Sequence, residues 1–349
     1  MNLVLDIETN SEHTQIWLCY THNSDTNEYV CHTKPDTLIP LINKADRIIG
    51  HNLIAFDAPV LNKLWGTKIG LRKATDTLIM SRLLTPSIEN GHSLKAWGKR
   101  LGNDKVDYAE LWHQHYNLDF DKKNMEPYDV PLMGLLDGYC KQDVAVTVQL
   151  YEQLSKSLED WGESVDLEHK VAAIIERQKR HGFKFNTKKA QILLASLSGE
   201  VADIEGELQS VFPPITTKRV SEKTGKELAD KVTVFNPGSR QQIVERLESI
   251  GVMFLKRTDK GSKIVDETVL SSIDRPEAKL ISRYLMIHKR ISQINSWFDA
   301  VKSDGRVHGS VITNGAVTGR MTHMSPNMAQ VPNSNSEYGS ECRELWEVE

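Results

Sequence analysis

The sequence predicts an α/β chain: a mixed β-sheet with helices, followed by a mainly α-helical region and a short β-hairpin. Three observations carry that reading. Leu3-Val4-Leu5-Asp6-Ile7-Glu8-Thr9-Asn10 is an apolar strand pattern with two carboxylates set into it. Strand, turn and helix patterns then alternate as far as Leu154. Beyond it, apolar residues step by fours and threes along two long stretches, the stripe of helices packed lengthwise. A chain of 349 residues, 39% hydrophobic and 26% charged, is too long for one average core. The expected division is 1–155, 156–304 and 305–349.

The first strand lacks a polar break before Asp6, as a strand buried on both faces near the centre of a sheet would. Thr14 to Tyr20 and Glu28 to His32 flank the turn-rich stretch from Thr21 to Asn27 and continue it as an antiparallel meander. A helical stretch from Thr37 to Lys44 precedes a short strand from Arg47 to Asn52. Helices are expected from Ala55 to Trp65, after Asp76, and from Tyr139 to Leu154, with irregular surface from Leu101 to Val130. In the second half the stripes are Ala190, Leu194, Leu197, Val201, Ile204, Leu208 and Val211, and Leu280, Tyr284, Ile287, Ile291, Ile294, Phe298 and Val301. They predict an antiparallel two-helix arm. Between them, Thr216 to Lys226 reads as a basic tip containing Lys218 and Arg219, suited to a phosphate backbone or, as readily, a solvated loop. Arg306 to Thr313 reads as a strand and Asn314-Gly315 as a hairpin turn, with a return strand leading to Gly319-Arg320.

Composition removes several classes. No apolar run approaches a membrane span and the chain enters a strand within three residues, so the expectation is a cytoplasmic protein. Cys19, Cys31, Cys140 and Cys342 form neither a CxxC nor a Cys/His cluster, which argues against a disulfide scaffold and a zinc site. No Ser/His/Asp or Cys/His set suggests a protein nucleophile. A formal charge of -4 neither announces nor excludes nucleic acid, because acids at a metal site can mask a basic groove.

The chemistry lies in the acids. Side chains alternate across a strand, so Asp6 and Glu8 share a face. Like charges that close repel unless a hard divalent cation neutralises them, although an edge strand carrying two solvated acids has the same pattern. Asp57, in His-Asn-Leu-Ile-Ala-Phe-Asp, stands at a strand-to-helix junction where its charge suits the helix dipole. Tyr139 and Asp143 lie four apart on a helix, which puts phenol and carboxylate on one face.

Asp-x-Glu on a first strand, Asn-x-x-x-Phe-Asp beginning at Asn52, and Tyr-x-x-x-Asp on a later helix together resemble the three motifs of DEDD 3′–5′ exonucleases of the tyrosine subclass. The Asp76-Thr77-Leu78 segment is similar to that family too, though its Asp is outside the four metal-site acids. Glu168-His169-Lys170, Val234 to Arg240, Tyr284 to Arg290 and Gly315 to Pro332 resemble the thumb and early palm of family A DNA polymerases, closest to those of short-tailed bacteriophages.

The resemblance implies an RNase H-like exonuclease domain over 1–155, a helical thumb-like DNA-gripping region over 156–304 and the start of a palm over 305–349. It assigns Asp6, Glu8, Asp57 and Asp143 to two divalent ions, Mg2+ or alternatively Mn2+, and Tyr139 to the attacking water. Asn52, Lys218, Arg219, Arg320, Asn327 and Gln330 become expected DNA contacts, serving a single-stranded 3′ end and a primer-template duplex. Such polymerases carry their polymerase metal motifs beyond the point matched by Glu349, so a separate polypeptide carrying palm and fingers is the expected partner. Phage relatives that recruit thioredoxin carry a long thumb insertion, whereas the Phe212 to Gly238 connection is short, which argues against thioredoxin. A DNA-binding accessory subunit with an inactive site, a stand-alone nuclease and an RNA-trimming exonuclease share parts of this pattern.

Overall fold

A computed structural model of the chain describes residues 1–104, 107–117, 125–220, 223 and 225–348. They form two compact units. One holds Met1–His181 with Gly309–Met324, the other Gly182–His308 with Ser325–Glu349.

The first unit is built on five strands, β1 (Asn2–Thr9), β2 (Ile16–Asn23), β3 (Glu28–His32), β4 (Arg47–Gly50) and β5 (Ala74–Asp76), with α1 (Pro35–Lys44) and α2 (Asp57–Leu64) between them. Their order is β3-β2-β1-β4-β5, antiparallel from β1 towards β3 and parallel from β1 towards β5. This is the RNase H-like mixed sheet expected, with the carboxylate-bearing strand at its centre. Then follow α3 (Thr77–Leu84), α4 (Leu94–Arg100), α5 (Tyr108–Tyr116), α6 (Met133–Ser157) and α7 (Gly162–His181).

Alternation on β1 divides its partners. Leu3, Leu5 and Ile7 pack with Leu38, Ile42, Ala58 and Leu61 of α1 and α2. Val4 goes to the opposite face with Tyr108 and Trp112 of α5 and Leu136, Cys140 and Val144 of α6. Asp6 and Glu8 continue that second face. Helices therefore cover both sides of the sheet, and the acids point to the side roofed by α6.

Two expectations are corrected here. The stretch from Leu101 to Val130 is not all irregular: Asp107 caps α5 by accepting the Glu110 N–H, and Tyr108 and Trp112, one turn apart, are fully buried. Residues 105–106 and 118–124 of that stretch lie outside the described residues. The first unit also runs past 155, because α7 packs on α3.

The second unit contains β6 (Phe183–Phe185), α8 (Thr187–Val211), β7 (Ile215–Val220), β8 (Glu227–Thr233), α9 (Arg240–Ser249), α10 (Glu267–Ser271), α11 (Pro276–Asp299) and β9 (Arg306–Val307). Ala190, Leu197, Ile204 and Leu208 of α8 are buried with Tyr284, Ile287 and Ile294 of α11, along the stripes read from the sequence, while beyond Ile294 it is Trp297 that is buried and Phe298 of the stripe is only partly so. Arg283 pairs with Glu200, while Glu207 and Val211 share a groove with Pro276 and Leu280, so the helices run antiparallel. They do not stand alone as an arm, since Ile243, Leu247 and Leu270 of α9 and α10 enter the same core. The basic tip is a two-stranded hairpin of β7 and β8 rather than a loop, and its Ser221, Glu222 and Thr224 lie outside the described residues.

The chain returns to the first unit for β10 (Ser310–Ile312) and β11 (Thr322–Met324), an antiparallel pair. The turn expected at Asn314-Gly315 is replaced by a longer connection, so the return strand follows Arg320 instead of leading to it. Gly315 serves close approach: a Cβ there would meet Thr322 Oγ1 at 1.9 Å. Gly319, at φ +73, turns the chain within the connection. The second unit closes with α12 (Gly339–Arg343) and β12 (Trp346–Glu347), which joins β6 and β9 in a small sheet.

Candidate active site

The five residues expected to carry catalysis converge in the first unit. Asp6 is half-buried and Glu8 buried on β1, where they lie opposite Tyr20 and Leu18 of β2. Asp57 is the first residue of α2 and is 2% exposed. Its Oδ1 accepts the backbone N–H of Ile7 at 3.2 Å, between the two strand acids. Tyr139 and Asp143 come from α6, the first packed in the aromatic cluster over Val4 and the second buried.

Burial pushes the Asp57 carboxyl up to about 7, reinforced by Asp76 and Asp143 and opposed by the Ile7 hydrogen bond. Burial also raises the Tyr139 phenol well above its ordinary value, with Asp143, Glu8 and Asp6 adding to the rise and a Tyr128 hydrogen bond working against it. The Tyr139 hydroxyl is thus protonated at neutral pH. Tyr108 stands behind it at 5.8 Å between ring centres.

Ligand atoms of Asp6, Glu8 and Cys140 all lie within 4.8 Å of one another. The Cys140 thiol donates to Asp6 Oδ2 at 3.4 Å and, from the same sulfur, reaches the Asp6 carbonyl oxygen at 3.5 Å. Burial, followed by the Asp6 and Glu8 charges, keeps Cys140 a thiol. All four cysteines are free, and Cys140 touches a site acid, a contact for which cysteine spacing alone gives no sign.

Asp76 has a structural role beyond its resemblance to the family segment. It is 2% exposed, and its carboxylate accepts the backbone N–H groups of Asn52 at 2.9 Å, Ile54 at 3.0 Å and Leu78 at 3.0 Å. It therefore both caps α3 and holds the segment that delivers Asp57. Its place at a strand-to-helix junction was the available signal.

The expected DNA contacts are distributed over both units. In the first, Asn52 adopts φ +70 and is half-exposed at the end of β4, and Arg320 is exposed before β11. In the second, Lys218 and Arg219 are exposed on β7, Gln330 is exposed, and Asn327 Oδ1 accepts the Ala329 N–H. Among the described residues no helix is long and apolar enough to cross a membrane.

Residues 215–349 match the family described as DNA polymerase family A. Over 99% of its length the chain is 29% identical to the DNA-directed DNA polymerase of Escherichia phage T7, and over 90% it is 29% identical to that of Enterobacteria phage T3. It spans 65% and 59% of those two proteins. Among solved structures, the POL domain of Pol1 from M. smegmatis in complex with DNA primer-template and dNTP matches 99% of the chain. The TM-score is 0.71, the identity 15%, and 55% of that chain is covered. By sequence and by fold, this chain resembles the family A DNA polymerases, those of bacteriophages included.

Proposed function

We propose that the chain is a metal-dependent 3′–5′ DNA exonuclease of the proofreading kind, joined to a thumb that grips DNA, and that it acts in DNA replication. The observation that carries this is the Asp57–Ile7 hydrogen bond, which ties a third acid to the backbone between Asp6 and Glu8, with Asp143 of α6 among the charges acting on it.

The residues present fit divalent cations. A buried carboxyl pushed up to about 7 among other acids is a group whose ionised form lacks compensation, and a cation supplies it. Asp6, Glu8, Asp57 and Asp143 would hold two ions, Mg2+ or Mn2+, which when bound would activate water and stabilise the leaving 3′-oxygen of the terminal phosphodiester. Tyr139, kept protonated by burial and by the acids, would orient the attacking water through its hydroxyl. Asn52, half-exposed at the end of β4, would meet the terminal nucleotide. In the second unit Lys218 and Arg219 would contact the phosphate backbone, and Asn327 and Gln330 would face duplex DNA, with Arg320 of the first unit in its minor groove.

The phage proteins that align with this chain are DNA-directed DNA polymerases, which favours DNA over RNA as the polymer acted on. The remainder of a polymerase, whether a separate polypeptide or not, is not required by this reading, nor is thioredoxin. An inactive accessory subunit is disfavoured because all four acids and Tyr139 are present, and the loss of any one is an easy substitution. Incubating the purified chain with 5′-labelled single-stranded DNA and Mg2+ should give a ladder shortened from the 3′ end, abolished by EDTA, with RNA of the same sequence a poorer substrate. Intact DNA would favour the accessory reading, and preferential RNA loss an RNA-trimming enzyme.

A further inference from the structure

His169, on α7, is tied to the acid-bearing segment by one buried contact across 93 positions of sequence: the Asp76 backbone N–H donates to its Nε2 at 2.8 Å. Its Nδ1 lies 2.7 Å from the carbonyl oxygen of Val165, one turn back on the same helix. A carbonyl only accepts, so Nδ1 carries the proton and Nε2 presents a lone pair. Both ring nitrogens are thereby engaged, the ring is anchored to its own helix, and His169 is 6% exposed.

What hangs from this contact is the approach to Asp57. Asp76 closes β5 in register with Gly50, the last residue of β4, and its carboxylate grips the N–H groups of Asn52 and Ile54 beyond that strand. Asn52 sits in the left-handed region, a conformation that persists where surrounding contacts over-determine it. Gly50 leaves little room for adjustment, since a Cβ there would lie 3.1 Å from Leu53 and 3.2 Å from the Leu5 carbonyl oxygen. A shift of Asp76 is therefore passed to residues 52–54 and on to the start of α2.

We propose that His169 is a positioning residue: through Asp76 it sets the backbone between Gly50 and Asp57 and so the placement of the Asp57 carboxylate beside Ile7. It acts through the Asp76 backbone rather than on the reacting atoms. The consequence for catalysis rests on the nuclease reading above, whereas the consequence for the backbone does not.

Two polar variants separate the hydrogen bond from simple burial. In His169→Gln the amide oxygen can take the place of Nε2, whereas in His169→Asn the shorter amide stops near the place of Nδ1. Amide hydrogen exchange of the peptide spanning 50–57 should quicken by about tenfold or more in His169→Asn and stay near wild type in His169→Gln. On single-stranded DNA with Mg2+, kcat should fall by about tenfold in His169→Asn with KM within about twofold, and recover in His169→Gln. Should His169→Asn not fold, as judged by circular dichroism, His169→Leu is measured in its place. Unchanged exchange over 50–57 in the acceptor-lacking variant, or equal damage in His169→Gln, would overturn the role of His169. A wild-type chain that releases no nucleotide would overturn the nuclease reading and the catalytic half of this proposal, with the exchange result still deciding the backbone half.

Discussion

Asp57 Oδ1 accepts the backbone N–H of Ile7 at 3.2 Å, so an acid from the first turn of α2 is bound to the residue separating Asp6 from Glu8. Burial, reinforced by the Asp76 and Asp143 charges, leaves the Asp57 carboxylate poorly compensated unless a cation is present.

That has a pH signature. Asp57 ordinarily titrates at 3.8 and is pushed up to about 7 in the folded chain, so between those values the folded state holds a proton that the unfolded state has lost. Stability from this group therefore falls as pH rises through that window and levels off above it. Asp57→Asn, neutral at every pH and still able to accept from Ile7, should be more stable than wild type in EDTA, by a margin widening on the order of 3 kcal/mol from pH 5 to pH 8. Urea unfolding at the two pH values measures it. Adding Mg2+ at pH 8 should stabilise wild type more than Asp57→Asn, which keeps the other three acids, and a margin independent of pH would contradict the assignment.

Tyr139→Phe keeps the ring in its aromatic cluster and loses only the hydroxyl. Nucleotide release should slow by about 10–100-fold while the Mg2+ concentration for half-maximal rate barely changes. Rates measured over a Mg2+ titration give both quantities, and a variant that needed far more Mg2+ would mean that the phenol supports the ions rather than the water.

Arg320 is exposed ahead of β11 and tests the grip on duplex DNA. In the minor groove, purine N3 and pyrimidine O2 occupy similar places in every base pair, so a guanidinium can hold paired DNA without reading its sequence. Arg320→Ala should weaken binding of a labelled primer-template by about 1–3 kcal/mol and leave digestion of single-stranded DNA unchanged. Equal duplex affinities in wild type and variant would remove Arg320 from the interface.

Much of this was legible from residue spacing. The position of Asp6 and Glu8 on one strand face, the helix beginning at Asp57 and the pairing of Tyr139 with Asp143 follow from periods of two and of three to four. The helix α5 escaped because Tyr108, Trp112 and Tyr116 are set among His, Gln and Glu, which lowers the apolar contrast on which periodicity depends. The Asp76–His169 contact was beyond reach for another reason: a backbone N–H meeting a side chain 93 positions away leaves no local pattern. Cys140 likewise shows its relation to Asp6 only once α6 is laid over β1. At the hairpin, Asn314-Gly315 carried a turn signal, yet the glycine answers to the crowding of Thr322.

The most direct test of the central claim is the double variant Asp6→Ala with Glu8→Ala in the Mg2+-dependent assay on 5′-labelled single-stranded DNA. Removing two clustered like charges relieves repulsion, so the variant should fold with a melting temperature at or above that of wild type in EDTA. Wild type should shorten the DNA stepwise from its 3′ end, and the folded variant should not do so at any Mg2+ or Mn2+ concentration. Nucleotide release by the variant at the wild-type rate would contradict the claim that these acids hold the catalytic metals.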